Sequence, residues 1–500
     1  MSSQSIIRQN IMSLILEFGP QTWTRIGYLI IVLTFVYIAM LCIYRLYLSP
    51  LASFPGPFLA KVTYWYEFYY NVVHIGKFYE RIREMHEKYG SGPVVRVTPE
   101  EIHILDASAY NEVFFYGAVG KTDSYLRSGN GTGFEDMTAI SHKHDAHRRL
   151  STPFSHGPTG EVVNLSNAFS SLTTDVISSL IFEEPSDYLG DPDFNSDCFE
   201  TLKRGTRSVF VFKHMPWILS IIGQPFIRYL INRITRWTVW DEQARRELLL
   251  IRKRPSDATQ TREGYTVLDQ LEKSELVEKE LGSGGFPRLA QLLQQAGAHN
   301  VSHTLATIVT HLLSNPEKLE LLQKELEDIW SRPDGTETAP SWSELEKATY
   351  LSAVVAEGLR MAVGSMNRST RVLPERAIDV GGWVIPPGTP VSMTSYWMHN
   401  DPVVFPKPQS FEPDRWLTAD PDQLKTMNRY YVPFAKGSRN CVGMNLVYMQ
   451  IYHTLSRLFR PGAPVLCLYD TTVRDVVAVH GLLFPMPPFD SKGVRVTVAS

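Results

Sequence analysis

The sequence predicts a mainly α-helical protein with minor β structure, and its hydrophobic pattern is the main reason. Apolar residues recur three and four positions apart from Phe286 to Leu313, which is typical of one long, deeply buried helix. Asn315 can cap a second helix, Glu317 to Trp330, and Pro316 suits its first turn.

The strand signals are short. Pro93 to Pro99 and Glu101 to Leu105 are β-branched runs separated by a turn, which predicts a small hairpin. Gly381 to Val391 predicts strands around a proline-glycine turn, and Val473 to Val498 is again strand-like. Because the 500 residues contain no internal repeat, we expect one large body rather than a series of modules.

An uncharged apolar run from Ile26 to Ile43, bounded by Arg25 and Arg45, precedes this body. Its length suits a bilayer core of about 30 Å. A cleaved signal peptide is the alternative, but the run is long, begins well inside the chain and lacks a small-residue cleavage site. We therefore expect a retained single-pass anchor within residues 1–48, followed by the main body at 49–500.

The bulk composition excludes several classes of partner. The net charge is −3 with both signs mixed along the chain, so we expect no nucleic-acid partner. The four cysteines, Cys42, Cys198, Cys441 and Cys467, lie far apart, which favours neither a zinc site nor a disulfide framework. The body therefore suits a reducing compartment.

A glycine-punctuated loop around Cys441 carries the strongest chemical signal. It reads Phe434-Ala-Lys-Gly437-Ser-Arg439-Asn-Cys441-Val-Gly443, and an apolar helical run follows at once. Backbone N–H groups and the positive end of a helix dipole are expected to lower the pKa of a thiol at this junction. The two glycines allow the backbone to approach a flat partner. A lone cysteine is otherwise most often a small buried hydrophobe.

The spacing Phe-x-x-Gly-x-Arg-x-Cys-x-Gly resembles the haem-binding loop of the cytochrome P450 superfamily. The resemblance covers the chain from about Pro50 to its end and implies the cytochrome P450 fold, preceded here by one N-terminal transmembrane helix. It implies that Cys441 is the axial thiolate of haem b, a ligand that favours O–O cleavage. The other cofactor-binding residues of the loop are then Phe434, Gly437, Arg439 and Gly443.

The resemblance also implies a structural triad. Glu357 and Arg360 lie three apart on one helix face, and Arg415 follows in an aromatic-proline loop, Phe411 to Trp416. In the family such a Glu-x-x-Arg helix binds an arginine of the later loop beneath the haem. Exposed pairs at this spacing are common and weak, so the expected role in folding and haem retention depends on burial.

The two haem propionates need cationic partners. The resemblance indicates Arg439 and Arg371 for this role, and it expects a third cation from an early helix that contains Arg148. That segment is shortened here, so His147 or Arg149 can take the place of Arg148, and a solvated basic helix is the alternative reading.

The long helix departs from the family pattern. Relatives usually carry Ala/Gly-Gly-x-Asp/Glu-Thr at its centre, whereas this chain reads AGAHN from Ala296 to Asn300. Ala296 and Gly297 are expected to leave room over the iron. His299 then stands at the acid position and Asn300 at the threonine position.

His299 and Asn300 are the expected catalytic pair, because the acid and alcohol of relatives support proton delivery during oxygen activation. Histidine can relay protons near neutral pH, whereas an amide holds water but is no proton source. A local register shift is the alternative, in which Ser302 or Thr304 supplies the hydroxyl.

These features predict a haem-thiolate monooxygenase that inserts one oxygen atom from O2 into an apolar small molecule. The entry Leu48-Ser-Pro50 and the end of the chain from Asp490 look most like fungal members that oxidise terpenoid or polyketide intermediates of secondary metabolism. Electrons would come from NADPH-cytochrome P450 reductase on the same membrane. We expect the endoplasmic reticulum membrane, with the catalytic domain in the cytosol. A positive face towards the reductase would be formed by Lys425, Arg429, Lys436 and Arg439.

Two other functions remain open at this point. The unusual pair His299 and Asn300 suits an enzyme that isomerises, dehydrates or cyclises an oxygenated intermediate without efficient O2 activation. A non-catalytic haem protein that acts as a binder or scaffold is the second alternative.

Overall fold

The computed structural model describes residues 20–89, 92–114, 123–124, 162–194, 285–331, 339–373, 375–482 and 484–499, with isolated positions between 200 and 268. Its α-helices are α1 (Pro20–Ile43), α2 (Phe58–Val62), α3 (Trp65–Phe68), α4 (Phe78–Tyr89), α5 (Tyr110–Phe114), α6 (Leu165–Ile181), α7 (Gly285–Leu313), α8 (Pro316–Trp330), α9 (Trp342–Leu345), α10 (Thr349–Ala362), α11 (Ser395–His399), α12 (Arg415–Thr418), α13 (Pro421–Tyr430) and α14 (Met444–Leu458).

The strands are short and form four small sheets in the part of the chain that the structure describes. They are β1 (Val94–Arg96), β2 (Ile102–Ile104), β3 (Asp123–Ser124), β4 (Val162–Asn164), β5 (Ser369–Val372), β6 (Ile378–Val380), β7 (Trp383–Ile385), β8 (Pro390–Met393), β9 (Val465–Leu468), β10 (His480–Gly481), β11 (Pro485–Met486) and β12 (Arg495–Ala499). The largest sheet has the order β1-β2-β8-β5-β3, and a second has the order β4-β12-β9. Two hairpins, β6-β7 and β10-β11, complete the set. The predicted fold class, mainly α with minor β, is confirmed.

The long helix α7 is the centre of the main core. Leu305 of α7, Val355 of α10 and Ile451 of α14 are fully buried in one apolar cluster. Gly358 allows α10 to approach α7 closely, because a Cβ at this position would overlap the side chain of Ile308. The helix that carries the Glu-x-x-Arg pair and the helix after the cysteine loop are thus both fixed against α7.

The N-terminal helix is apolar, as expected for the anchor, and is longer than the predicted run from Ile26 to Ile43. Thr24–Leu48 is a helical span of 25 residues with a mean hydropathy of 2.6, and none of its most apolar stretch is buried. By length and composition this span could cross a membrane, and among the described residues it is the one helix that meets both conditions.

Two local expectations need correction. Asn315 does not cap α8 with its side chain; its Nδ2 instead donates to the carbonyl of His311, 2.6 Å away. The stretch from Val473 is not continuous strand, because Val473–Asp475 form a 3₁₀ turn that Thr472 and Asp475 close as a capping box. The hairpin of β1 and β2 forms as predicted, whereas β9 had no clear sequence signal.

Candidate active site

The cysteine loop is a tight turn placed at the start of α14. Gly437 has φ +80° and Ala435 has φ +56°, so the chain reverses here through left-handed conformations that favour glycine. The backbone N–H of Cys441 donates to the carbonyl of Phe434 over 2.8 Å and closes the loop. The ring of Phe434 packs on Tyr448 with centroids 5.1 Å apart, which fixes the loop to α14.

Gly443 plays a different part from the one expected. Its φ of −86° is open to any residue, so it does not provide an unusual backbone conformation. A Cβ at Gly443 would lie 4.0 Å from the sulfur of Cys441, so the position of this glycine matters because it borders the thiol. Its N–H also forms a backbone hydrogen bond to that thiol.

The thiol of Cys441 keeps an exposed surface, but the surrounding protein governs its ionisation. Burial raises the pKa of Cys441, and the hydrogen bond from the Gly443 backbone lowers it by a smaller amount. The expectation of a net lowered pKa is therefore wrong for the protein alone, because desolvation outweighs the helix terminus.

Arg371 and Arg439 lie close enough together for the charge of Arg439 to affect the ionisation of Arg371. The guanidinium of Arg371 is buried over the ring of Phe114, 4.7 Å from its centroid, and donates to the carbonyl of Thr370 over 3.0 Å. Its Nε has no partner among the described residues. Burial and the nearby charge of Arg439 both lower the pKa of Arg371. Two adjacent cations with unused donors suit a ligand that carries carboxylates.

The expected triad residues are joined by a hydrogen-bond network centred on the carboxylate of Glu357. Glu357 and Arg360 are fully buried and form a two-pronged pair, with Arg360 Nε and Nη2 each 2.9 Å from a carboxylate oxygen. Arg415 Nε donates to Glu357 Oε1 over 3.1 Å, and Trp416 Nε1 donates to Oε2 over 3.0 Å. The backbone N–H of Glu412 adds a fifth donor at 3.0 Å, so both carboxylate oxygens are fully used.

His399, which sequence reasoning missed, links this network to the cysteine loop. The backbone carbonyl of His399 accepts from Arg360 Nη1 at 2.8 Å. The ring atom Nδ1 of His399 lies 3.2 Å from the carbonyl of Arg360. The backbone N–H of Val432, two residues before Phe434, donates to Nε2 over 2.9 Å. Because a backbone N–H can only donate, Nε2 must be the acceptor and Nδ1 carries the proton.

The electrostatics of His399 agree with this tautomer. Burial, and then the charge of Arg360, lower the pKa of His399 to about 3, so the ring is neutral at physiological pH. A single histidine in a short helix carries no sequence signal for such a link.

The long helix α7 presents an open face at its centre. Ala296 is exposed although the helix around it is mostly buried. Val301 belongs to the cluster against which Val447 packs, and Ala290 to the cluster against which Leu446 packs. Residues of α7 on either side of Ala296 along the chain therefore share apolar clusters with the first turn of α14, directly after the cysteine loop.

Gly297 does not contribute to this open space as expected. A Cβ at Gly297 would lie 2.8 Å from Cγ1 of Ile177, so this glycine allows α6 to pack closely on α7. Ala296 alone provides the room that was assigned to both residues.

His299 and Asn300 follow on the same part of the helix. The ring of His299 packs on Phe484 of the β10-β11 connection, with centroids 4.7 Å apart. The Oδ1 atom of Asn300 is buried and has no hydrogen-bond partner among the described residues. The hydroxyl groups of Ser302 and Thr304 donate to the backbone carbonyls of His299 and Asn300 over 2.9 Å each.

Ser302 and Thr304 are both buried, and Ser302 Oγ lies 3.3 Å from Ser170 of α6. Their hydroxyl groups are thus bonded to their own helix, whereas His299 and Asn300 follow Ala296 by three and four residues. Arg148, His147 and Arg149 lie outside the described residues.

The expected positive face is only partly assembled. Lys425 and Arg429 are exposed on α13, and the charge of Arg429 contributes, after burial, to a lowered pKa of Lys436. Arg439 instead lies close enough to Arg371 to affect its ionisation.

The chain matches the family model for cytochrome P450 over residues 155–461. It is 35% identical over 502 residues to the cytochrome P450 monooxygenase oblB of Cochliobolus heterostrophus, which covers 93% of this chain and 94% of the relative. It is 33% identical to the fusicoccadiene C-8 hydroxylase of Alternaria brassicicola, over 94% of this chain and 95% of the relative. The tryptophan 6-hydroxylase fscE of Fusarium equiseti is 35% identical, over 94% and 96%.

The chain therefore belongs to the cytochrome P450 family, and it is a haem-dependent oxidoreductase. Its relatives are named as fungal monooxygenases and hydroxylases, which supports the prediction of a haem monooxygenase over a non-catalytic binder. The residues present fit a haem: an accessible thiol, the neighbouring guanidinium groups of Arg371 and Arg439, and an Arg371 Nε atom that has no partner among the described residues.

Proposed function

We propose that this protein is a haem b monooxygenase in which Cys441 is the axial ligand. The observation that carries the proposal is the accessible thiol at the start of α14, in a loop whose Arg439 lies near the buried Arg371, and the Nε atom of Arg371 has no partner among the described residues. A bound haem supplies the activation of O2. Arg371 and Arg439 bind its two propionates, and the loop residues Phe434, Gly437 and Gly443 border its thiolate side.

The buried network around Glu357 has a structural role in this proposal. Arg360 and Arg415 satisfy the carboxylate, and His399 connects the network to the segment that enters the cysteine loop. Because the network is buried in the protein and is joined to the segment that enters the cysteine loop, it positions Cys441 and does not contact substrate.

His299 and Asn300 prepare the distal side for proton delivery. Histidine exchanges protons near neutral pH, and the Asn300 amide can hold the water that carries a proton onwards. The contact of His299 with Phe484 fixes the ring at the wall of the open space, where a relay must lie.

The substrate is an apolar small molecule, and we favour a terpenoid or polyketide intermediate of a fungal secondary-metabolite pathway. The names of the relatives support a class of substrates rather than one compound, since fusicoccadiene and tryptophan are chemically unlike. Electrons come from NADPH through the cytochrome P450 reductase, which docks on the face that includes Lys425, Arg429 and Lys436.

The apolar span Thr24–Leu48 anchors the enzyme in the endoplasmic reticulum membrane, with residues 49–500 in the cytosol. Removal of residues 1–47 tests this, since the shortened protein should leave the membrane fraction and still bind haem. A shortened protein that sediments with membranes in high salt would show that the span is not the main anchor.

Stoichiometry tests the proposed reaction. A monooxygenase consumes one O2 and one NADPH for each oxygen atom inserted, and the inserted atom derives from ¹⁸O2. The alternative enzyme, which isomerises, dehydrates or cyclises an oxygenated intermediate, would form product without this consumption. It is favoured by the same His299–Asn300 pair, and product formed under anaerobic conditions would establish it.

A further inference from the structure

A polar stripe continues along the open face of α7 beyond Asn300. Asn300 and His303 follow Ala296 by four and seven residues, so the three share one face of the helix. All three keep accessible surface, whereas Gln294 and Val301, on other faces of the same turns, are buried. The open face therefore combines a small apolar residue with an amide and an imidazole.

Two atoms of this stripe lack partners. Asn300 Oδ1 and His303 Nε2 are buried and form no hydrogen bond with any residue that the structure describes. The rings of His303 and His299 are parallel within 2°, but their centroids are 6.4 Å apart, which is too far for a direct hydrogen bond. Because the side chains of Asn300 and His303 are half-buried and share the face of Ala296, both atoms can hydrogen bond to a ligand that binds on that face.

The chemistry of the two side chains defines what that ligand can be. Burial lowers the pKa of His303 to about 4, so its imidazole is neutral at physiological pH, with one nitrogen that donates and one that accepts. The amide oxygen of Asn300 accepts only. A hydroxyl group can satisfy both residues, and a carbonyl group can accept from His303, whereas a pure hydrocarbon can satisfy neither.

We propose that the substrate already carries an oxygen atom, as a hydroxyl or carbonyl group, which hydrogen bonds to His303 on the open face of α7. This inference rests on the proposed monooxygenase function and narrows its substrate from apolar molecules in general to oxygenated ones. The reaction that supplies the substrate is then an earlier oxygenation, or a cyclisation that ends by capture of water.

Gln294 provides a matched control. Both polar atoms of its amide are buried without a partner among the described residues, but its side chain has no accessible surface. It lies two residues before Ala296 and so on nearly the opposite side of the helix. Its amide cannot reach a ligand in the open space, and removing it leaves ligand recognition unchanged.

The test uses the full-length haem-loaded enzyme with its reductase in lipid vesicles. The probe is an extract from producing cells that lack this gene, and the compound that the enzyme consumes is identified by accurate mass. The proposal expects a formula that contains oxygen before consumption. A consumed hydrocarbon would overturn it.

Variants then locate the contact. In spectral titrations with the consumed compound, His303→Leu should weaken binding about tenfold, the effect of one lost hydrogen bond. His303→Gln should stay close to the parent because it keeps a donor and an acceptor, and Gln294→Leu should match the parent. Parental affinity in His303→Leu would overturn the proposal; if that variant also released more hydrogen peroxide, His303 would belong to proton delivery.

The outcomes separate this inference from the proposed function. A hydrocarbon that gains an oxygen atom from O2 would leave the monooxygenase assignment intact and remove the inference. An oxygenated compound that is converted without O2 would keep the inference and remove the monooxygenase.

Discussion

The network around Glu357 and the open face of α7 lie in elements that pack on each other. They differ in how completely their acceptor atoms are hydrogen bonded. Five donors meet the two oxygens of Glu357, and the residue is fully buried. On α7, Asn300 and His303 each keep a buried polar atom without a partner among the described residues.

This difference is the one expected between a structural network and a ligand-binding surface. The carboxylate of Glu357 has no capacity left for a ligand, and its pairing is expensive to break because a charge would remain buried alone. The stripe on α7 has unpaired hydrogen-bonding atoms that a bound ligand or a bridging water can satisfy. We therefore expect changes in the network to affect haem content, and changes in the stripe to affect turnover and selectivity.

The largest effect is expected from the network. Glu357→Ala and Arg360→Ala should each destabilise the fold by about 3–5 kcal/mol and so reduce haem content and soluble yield, as measured by haem per protein in purified samples. Arg474→Ala, which breaks an exposed pair with Asp490, is the control and should change neither. Fully haem-loaded Glu357→Ala with only slower turnover would contradict the structural role.

The distal pair should alter coupling while haem content stays normal. A positioned proton donor contributes about 10²–10⁴ in rate, so His299→Ala should lower product formation and raise hydrogen peroxide released per NADPH. Asn300→Thr restores the alcohol of the family pattern and should couple as well as the parent or better.

Two results would break this expectation. If His299→Ala formed product at the parental rate without O2, the isomerase alternative would replace the monooxygenase. If both variants coupled like the parent, the proton route would run elsewhere, and Ser302 and Thr304 would be the next residues to replace.

The smallest effect concerns pH. His399 has a pKa of about 3 in the folded protein against an ordinary value of 6.5, so between these values the unfolded chain binds the extra proton. The folded state is therefore fully favoured by this group above pH 6.5 and loses stability as the pH falls, by at most about 1.4 kcal/mol per pH unit.

His399→Gln can keep both hydrogen bonds but cannot take up a proton. The fall in unfolding free energy from pH 6.5 to pH 5, measured by denaturant titration, should be less steep in this variant than in the parent. Equal slopes would mean that the ring is already protonated in the fold, or that other groups govern the acid transition.

The sequence could predict the parts that depend on spacing along the chain. The long helix, the first hairpin, the N-terminal apolar helix and the loop around Cys441 all follow from local patterns, and each forms close to the expected positions. Contacts between distant segments could not be predicted this way, since His399 meets Arg360 and Val432 only after folding. The role of Gly297 was misjudged for the same reason, because its neighbour Ile177 lies in another helix.

The ionisation of Cys441 shows a second limit. The helix terminus is visible in the sequence, but the degree of burial is not, and burial dominates the pKa of this thiol. A local motif can therefore single out Cys441 without giving the electrostatics of its thiol.

The most direct test of the account is the spectrum of the reduced carbon monoxide complex of Cys441→Ser. A thiolate ligand gives this complex a distinctive red-shifted Soret band, and serine cannot supply the sulfur. We predict that Cys441→Ser loses that band while circular dichroism shows a largely intact helical fold, and that Cys467→Ser, at an exposed cysteine of β9, retains it. A Cys441→Ser protein that kept the thiolate spectrum would remove Cys441 from the iron and contradict the proposed site.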